Sequence, residues 1–164
     1  MALPNKVLPG FSAVLYAQPT STPTPLTTAQ LSLVASVSPI AVSGNIIPVE
    51  AIPAFGQDDA VASFAVAGSR QSDKIPVQAA PTSMTITAAW NPADANLLLM
   101  RADAYSGVTD RTFVISATDG TGIVYYAFNG RVGQFQIDSA PGAEAKCTFT
   151  IHPRGNQYGW SNNA

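Results

Sequence analysis

From residue 83 onward the chain alternates between two hydrophobic periods. Residues 83–90, Ser-Met-Thr-Ile-Thr-Ala-Ala-Trp, put apolar and polar side chains at alternate positions, the pattern of a half-buried strand. Residues 91–107 change to three-to-four spacing and predict a helix over about 91–106. Ala95, Leu98, Leu99, Ala102 and Tyr105 define one face of it, and Leu97 and Met100 widen the apolar girth, so cover is expected on more than one side. Asn91 is a good N-cap. Pro92 fits the first helical position, where its missing N–H costs no bond. Asp94 places negative charge in the first turn, and Gly107 reads as a left-handed stop.

Four β-type runs follow, over residues 111–118, 122–129, 131–138 and 145–152. Turn signals separate them: Asp119-Gly120 with Gly122, Asn129-Gly130, and Pro141-Gly142. Gly133 inside its run predicts a bulge or a close backbone approach. Residues 156–164 read as a tail, in which Tyr158 and Trp160 are either idle or anchors on another subunit.

The first half is less periodic. Residues 1–30 read as an arm, because Pro4, Pro9, Pro19, Pro23 and Pro25 exclude a helix and a central strand. Residues 12–17 have room for one short strand, and residues 18–25 favour an extended polyproline-like backbone. The arm is either a disordered leader or a segment that orders along a neighbour, with Phe11, Leu15 and Tyr16 to bury. Two strands are expected after it, one over residues 30–37 and one over 45–55 interrupted by Pro48 and Pro53. Residues 57–74 gather opposite charges: Asp58, Asp59, Arg70, Asp73 and Lys74. A solvated loop explains them, and so does a protruding hairpin that docks on a partner of complementary charge.

Composition narrows the function. The 164 residues fit one domain with arms, here residues 31–155 between the arm and the tail. Only 11% are charged, against about a quarter in ordinary soluble domains, as expected of a surface that partners cover. The net charge of −2 offers no basic stripe for gripping phosphates. No long apolar run of bilayer-spanning length occurs, and the N-terminal residues lack the pattern of a secretory signal.

Candidate chemistry is sparse. Cys147 is the only cysteine, so no internal disulfide is expected, and its strand pattern reads as a small buried apolar position. His152 lies five residues on, an odd spacing that points it to the opposite strand face. A lone His and a lone Cys give no usual metal spacing, and neither a nucleophile elbow nor a Gly-rich phosphate loop occurs. No catalytic, cofactor or metal residues are assigned, and the protein is expected not to be an enzyme.

The order from Ser83 onward carries a family resemblance. It runs from a Thr-rich strand through one helix to Phe-Val-Ile-Ser-Ala-Thr-Asp-Gly. Then come Ile-Val-Tyr-Tyr-Ala-Phe-Asn-Gly-Arg-Val-Gly-Gln-Phe and Ala-Lys-Cys-Thr-Phe-Thr-Ile-His-Pro-Arg-Gly. This resembles the major tail tube protein of long-tailed bacteriophages, over residues 83–155, with residues 46–56 fitting an earlier strand loosely. The same architecture serves contractile tails and type VI secretion tubes. The resemblance implies a mainly β fold, a sandwich or partial barrel with one flanking helix, whose copies form hexameric rings. The rings would stack into a hollow tube that conducts viral DNA into the host. Residues 57–74, residues 1–30 and the tail after Gly155 would make the contacts. The resemblance further implies a tape measure protein and tail terminator and tip proteins as partners. It implies a place in the virion tail after synthesis in the host bacterial cytoplasm, with no membrane. A weakly acidic wall would let DNA slide, and Glu50, Asp138 and Glu144 are candidates to face the lumen.

The competing reading is a β-sandwich that binds carbohydrate or a cell-surface protein. Trp90, Tyr125, Tyr126, Tyr158 and Trp160 would be its stacking platforms, although Trp90 sits at a strand–helix junction and the two central tyrosines lie in a strand.

Overall fold

Long strands build this protein, where the turn signals had predicted shorter ones. The computed structural model describes residues 12–65, 67, 72–118 and 122–163. In chain order they form β1 (Ser12–Ala17), α1 (Thr28–Leu31), α2 (Val34–Val37), a 3-10 turn (Ser43–Asn45), β2 (Gln57–Ala65) and β3 (Ser72–Pro81). Then follow β4 (Met84–Ala89), α3 (Ala95–Ser106), β5 (Asp110–Thr118), β6 (Ile123–Asp138) and β7 (Lys146–Asn163). One antiparallel sheet has the order β1-β5-β6-β7-β4, and β2 and β3 make a separate two-stranded sheet. The larger sheet curls into a half-barrel, so the fold is mainly β with one substantial helix.

Asn129-Gly130 is not a turn. β6 runs straight through both residues, and Gly130 is absent from the positive-φ positions that such a hairpin turn demands. Asn129 instead accepts a hydrogen bond from Thr112 Oγ1 (2.7 Å) and donates from Nδ2 to the Leu26 carbonyl (2.7 Å). Gly130 serves close packing: a Cβ there would lie 2.8 Å from Ile151 Cγ2. Pro141-Gly142 does turn the chain, with Gly142 at φ +80° and Ala143 N donating to Ala140 O. The expected bulge at Gly133 is present. The β6–β7 register shifts between Gly133 and Gln136, and Gln134 takes φ +55°. A second shift, between Ala127 and Asn129, divides the long hairpin. The first part of β6 pairs with β5, whereas β4 pairs with the first part of β7.

Residues 12–17 of the expected arm and residues 156–163 of the expected tail both supply strand to the larger sheet. β1 pairs with β5 from Ser12↔Thr118 to Ala17↔Phe113, and Leu15 and Ala17 are buried. The predicted tail continues β7, with Trp160 opposite Tyr126 and Asn163 opposite Ile123. Both ends are held because β5 and β6 would otherwise show unpaired edges.

Residues 30–37 form α1 and α2 and not a strand. Thr27 N donates to Gln30 Oε1, the reciprocal half of a capping box, and Leu31, Val34 and Val37 recur at three-residue spacing. Leu31, Val37 and Ile40 cover Val114, Tyr125 and Ala127 on one face of the sheet. The other face carries the main core, including Leu15, Ile86, Met100, Phe113, Phe128 and Phe149. β5 is therefore buried on both sides.

Residues 45–55 are not a strand either; they form a strap. Ile47 N donates to Leu15 O on β1, while Glu50 N donates to Thr87 O and Ala89 N donates to Pro48 O on β4. A five-residue stretch thus ties the two edge strands of the curled sheet together. Pro48 and Pro53 suit this role, since neither is needed as a ladder donor.

The helix α3 begins later than predicted and is rotated. Asp94 is its N-cap, accepting from Asn96 N (2.9 Å) and Leu97 N (3.3 Å), while Asn91 caps only the preceding turn through Ala93 N. Gly107 ends it in the left-handed conformation, as expected. Leu97, Met100 and Asp103 face inward, whereas Leu98 and Tyr105 are 41% and 76% exposed. The cause is Arg111. This wholly buried side chain forks onto Asp103, Nε to Oδ2 at 2.6 Å and Nη2 to Oδ1 at 3.0 Å, and so fixes which face of α3 turns in. Its Nη1 donates to the carbonyls of Gln18 and Thr20.

Removing one partner leaves the other charge buried and unpaired. Arg111→Met or Asp103→Leu alone is expected to lower unfolding free energy by about 3–5 kcal/mol in urea titration, and the double variant by less than the sum. An additive double variant would refute the coupling. Gly130→Ala is expected to cost about 1–3 kcal/mol by overpacking on Ile151, read as a lower urea midpoint with an unchanged slope.

Candidate assembly surfaces

The hairpin of β2 and β3 stands apart from the five-stranded sheet as a sheet of two strands. Residues 57–65 and 72–74 are strand and not loop: the register runs from Gln57↔Pro81 to Ala65↔Ser72, with an irregularity at Ala60/Val61. Thr82 N donates to Gly56 O and closes its base. A lone two-stranded hairpin is marginal in water. This one exposes Val61, Phe64 and Ile75 at 54%, 57% and 50%. Cross-strand pairing puts Phe64 and Ile75 on one face with Ala62, and Val61 on the other. Asp58 and Lys74 are exposed on it. Asp59 and Asp73 hold strand positions, and their side chains, like the whole of Arg70 and Phe11, lie outside the described residues.

Other predicted contact residues are engaged within the chain. Leu15 is at 0% exposure in the main core, and Tyr16 packs against the α1–α2 cluster and bridges to Ile46. Neither is an arm residue free for a neighbour. Tyr158 and Trp160 have backbone places in β7, and their side chains lie outside the described residues.

Glu50, Asp138 and Glu144, distant in sequence, share one basic neighbour. Lys146 pairs with the half-exposed Glu50 and stands opposite Asp138 in the β6–β7 register. The hydrogen bond to Glu50 and its charge push the Lys146 ammonium above its ordinary range, with smaller help from Glu144 and Asp138. Three carboxylates against one ammonium leave this corner at −2. Beside it lies a neutral polar face. Thr85 pairs with Thr150 and Thr87 with Thr148, next to Gln134 and Gln136. Their strand neighbours Met84, Ile86, Cys147 and Phe149 are buried, so alternation decides the face.

The aromatic residues considered as sugar platforms are largely packed. Trp90 meets Phe135 edge-on at 5.7 Å, Tyr126 meets Phe55 at 5.3 Å, and Tyr125 is buried under α1 and α2. Among the described residues no three His, Cys, Asp or Glu side chains group as metal ligands, and no helix is long and apolar enough to cross a membrane.

No family model matches the sequence, and no curated protein matches it. Solved structures do match the fold. A chain of the anti-feeding prophage baseplate aligns with TM-score 0.64 and 11% identity, over 98% of this chain and 97% of that one. A chain from the sheath/tube terminator of the PVC extracellular contractile injection system aligns with TM-score 0.63 and 12% identity, over 96% and 99%. The SPP1 tail tube aligns with TM-score 0.54 and 12% identity, over 93% of this chain and 76% of that one. The chain has the fold of tail tube and injection-system components.

Cys147 and His152 point apart, as the odd spacing required: the thiol is buried and the imidazole is exposed, with Nδ1 3.0 Å from Ser83 Oγ. Burial pushes the Cys147 thiol above its ordinary value, outweighing the backbone hydrogen bond from Ala88. The raised folded value keeps the thiol neutral where an unfolded thiol, near pH about 8.5, already ionises. Native protein is therefore expected to resist Ellman's reagent even at pH about 9 and to react stoichiometrically once unfolded in urea. Rapid native labelling would contradict the buried placement.

Proposed function

We propose that this chain is a structural tail tube subunit, whose copies close into hexameric rings that stack into a hollow conduit for viral DNA. The observation that carries the reading is the hairpin of β2 and β3, which exposes the large apolar side chains of Phe64 and Ile75 on one face and Val61 on the other. Such a patch marks an interaction surface. A fold shared along nearly the whole chain with tail components supports the choice of assembly.

The surface fits a conduit. DNA is held by many cations, and release of its counterions drives binding. Here the charge is −2, the β4–β7 face is hydroxyl and amide, and the Lys146 corner is net acidic. Such walls would let a polyanion slide. The subunit is structural and carries out no catalysis. On this reading a tape measure protein and terminator and tip proteins complete the tail in the virion, after synthesis in the host cytoplasm.

Purified protein is expected to form rings or tubes in negative-stain micrographs. Replacing residues 58–80 by two glycines across the closed Gly56–Thr82 base should abolish tubes while leaving the β circular dichroism signal. A wild-type chain that stays monomeric at high concentration in every salt would sink the proposal.

A further inference from the structure

Asn129-Gly130 is the sole Asn-Gly pair in the chain, and β6 runs through both residues. In a loose chain such a pair is chemically unstable, because glycine puts no side chain between its own nitrogen and the asparagine amide. We infer that Asn129-Gly130 is a one-way modification site. It is sealed while β6 lies in the sheet and deamidates when the strand is out. The product then fails to rebuild the contacts that hold the Pro-rich segment at its Leu26 end.

The chemistry needs only the chain and water. The Gly130 nitrogen attacks Asn129 Cγ, and the new N–Cγ bond closes a succinimide ring. The Cγ–Nδ2 bond breaks, and Nδ2 leaves as ammonia with the proton given up by the Gly130 nitrogen. Water then opens the ring at either of its carbonyls. A carboxylate replaces the amide at position 129, as aspartate or, with the backbone rerouted through the side chain, as isoaspartate. No oxidant, metal or enzyme enters the balance.

Three observations carry the inference. The first is the seal. Gly130 is buried and stands opposite Arg111 on β5 and Pro153 on β7, so its backbone lies inside the ladder, away from water and base. The Asn129 amide is held at both of its ends, accepting from Thr112 Oγ1 and donating to Leu26 O. The second is what the product would break. Leu26 N donates to Thr112 Oγ1 at 3.0 Å, so Leu26, Thr112 and Asn129 form a closed ring in which each residue both gives and receives a hydrogen bond. A carboxylate at position 129 has no donor for the Leu26 carbonyl. It would set oxygen against oxygen at the 2.7 Å now spanned by the Nδ2 bond, and add an unpaired charge in a part-buried place. The third is that neither residue is readily exchanged to remove the hazard. Gly130 is required because a Cβ would lie 2.8 Å from Ile151 Cγ2. Asn129 is required because the ring needs a donor and an acceptor on one short side chain.

The test uses the full wild-type chain, held at mildly alkaline pH in native buffer and, in parallel, in guanidinium chloride. After digestion, mass spectrometry reads the peptide that contains residues 129 and 130 for replacement of the amide by a carboxylate. The unfolded sample is expected to convert. The native sample should convert more slowly by about a thousandfold or more, the reciprocal of an ordinary unfolded fraction. On dilution from denaturant, unmodified molecules should regain the wild-type urea midpoint, while modified ones unfold at lower urea or stay unfolded. The variant Asn129→Asp, made directly, isolates the carboxylate from any rerouting of the backbone. It is expected to show the same lowered midpoint, or no folding, with faster proteolysis within residues 18–27. Native protein that converts at the unfolded rate overturns the inference. So does an unfolded chain that keeps its amide at position 129. So does a wild-type midpoint in the modified molecules or in Asn129→Asp.

Discussion

One buried guanidinium organises the fold. Arg111 lies in β5, a strand covered on both faces, at a depth where an unpaired charge would not be tolerated. Every part of its solution is structural. Asp103 supplies the countercharge and thereby sets the rotation of α3. The carbonyls of Gln18 and Thr20 take another N–H group and thereby fix the chain as it leaves β1. The next residue, Thr112, points to the other face and accepts from Leu26 N, while its hydroxyl donates to Asn129. Two adjacent residues of one strand thus hold the Pro-rich segment at both of its ends. That segment has no secondary structure to satisfy its own backbone, so its path depends on these side chains.

Curvature is the second constraint, and it follows from the long β6–β7 hairpin. Straight strands of 16 and 18 residues would make a flat sheet with two distant open edges. Two register shifts bend the hairpin, and Gly130 lets Ile151 approach where any side chain would collide. The bend brings β1 and β4 close enough for residues 46–50 to tie to both. The strap protects parts of each edge inside a single chain. The edges it leaves open, and the hairpin beyond it, are the parts that the proposed assembly would use.

The sequence was most legible where periodicity and end signals agreed. The alternation in β4 and in the first part of β7, the Gly107 stop, the Gly133 bulge and the buried Cys147 followed from local rules. Other features were decided by contacts remote in sequence. Asn129-Gly130 carries a strong turn signal, yet Asn129 is recruited by Leu26, 103 residues away, and Gly130 by a neighbouring strand. The helix face was misread because its decisive residue is polar: Asp103 belongs to the inner face through Arg111, and an apolar count passes over it. The helices at residues 28–37 did leave a trace, in Thr27 with Gln30 and in the spacing of Leu31, Val34 and Val37. The candidate assembly surface was half legible. Charge crowding singled out residues 57–74 as either a solvated loop or a docking hairpin, and the strand register then distributed Val61, Phe64 and Ile75 over the two faces.

Low charge and the strap together bear on the assembly proposed for this chain. On the assembly reading, a subunit that covers its surface with copies of itself would gain little from charged side chains that have to be desolvated at each contact. A surface so lightly charged is prone to pair at random wherever edges or apolar patches are open. The strap narrows the open edge, the β4–β7 face carries threonine and glutamine side chains, and the exposed apolar side chains include Val61, Phe64 and Ile75 on the hairpin and Tyr105 and Val108 at the end of α3.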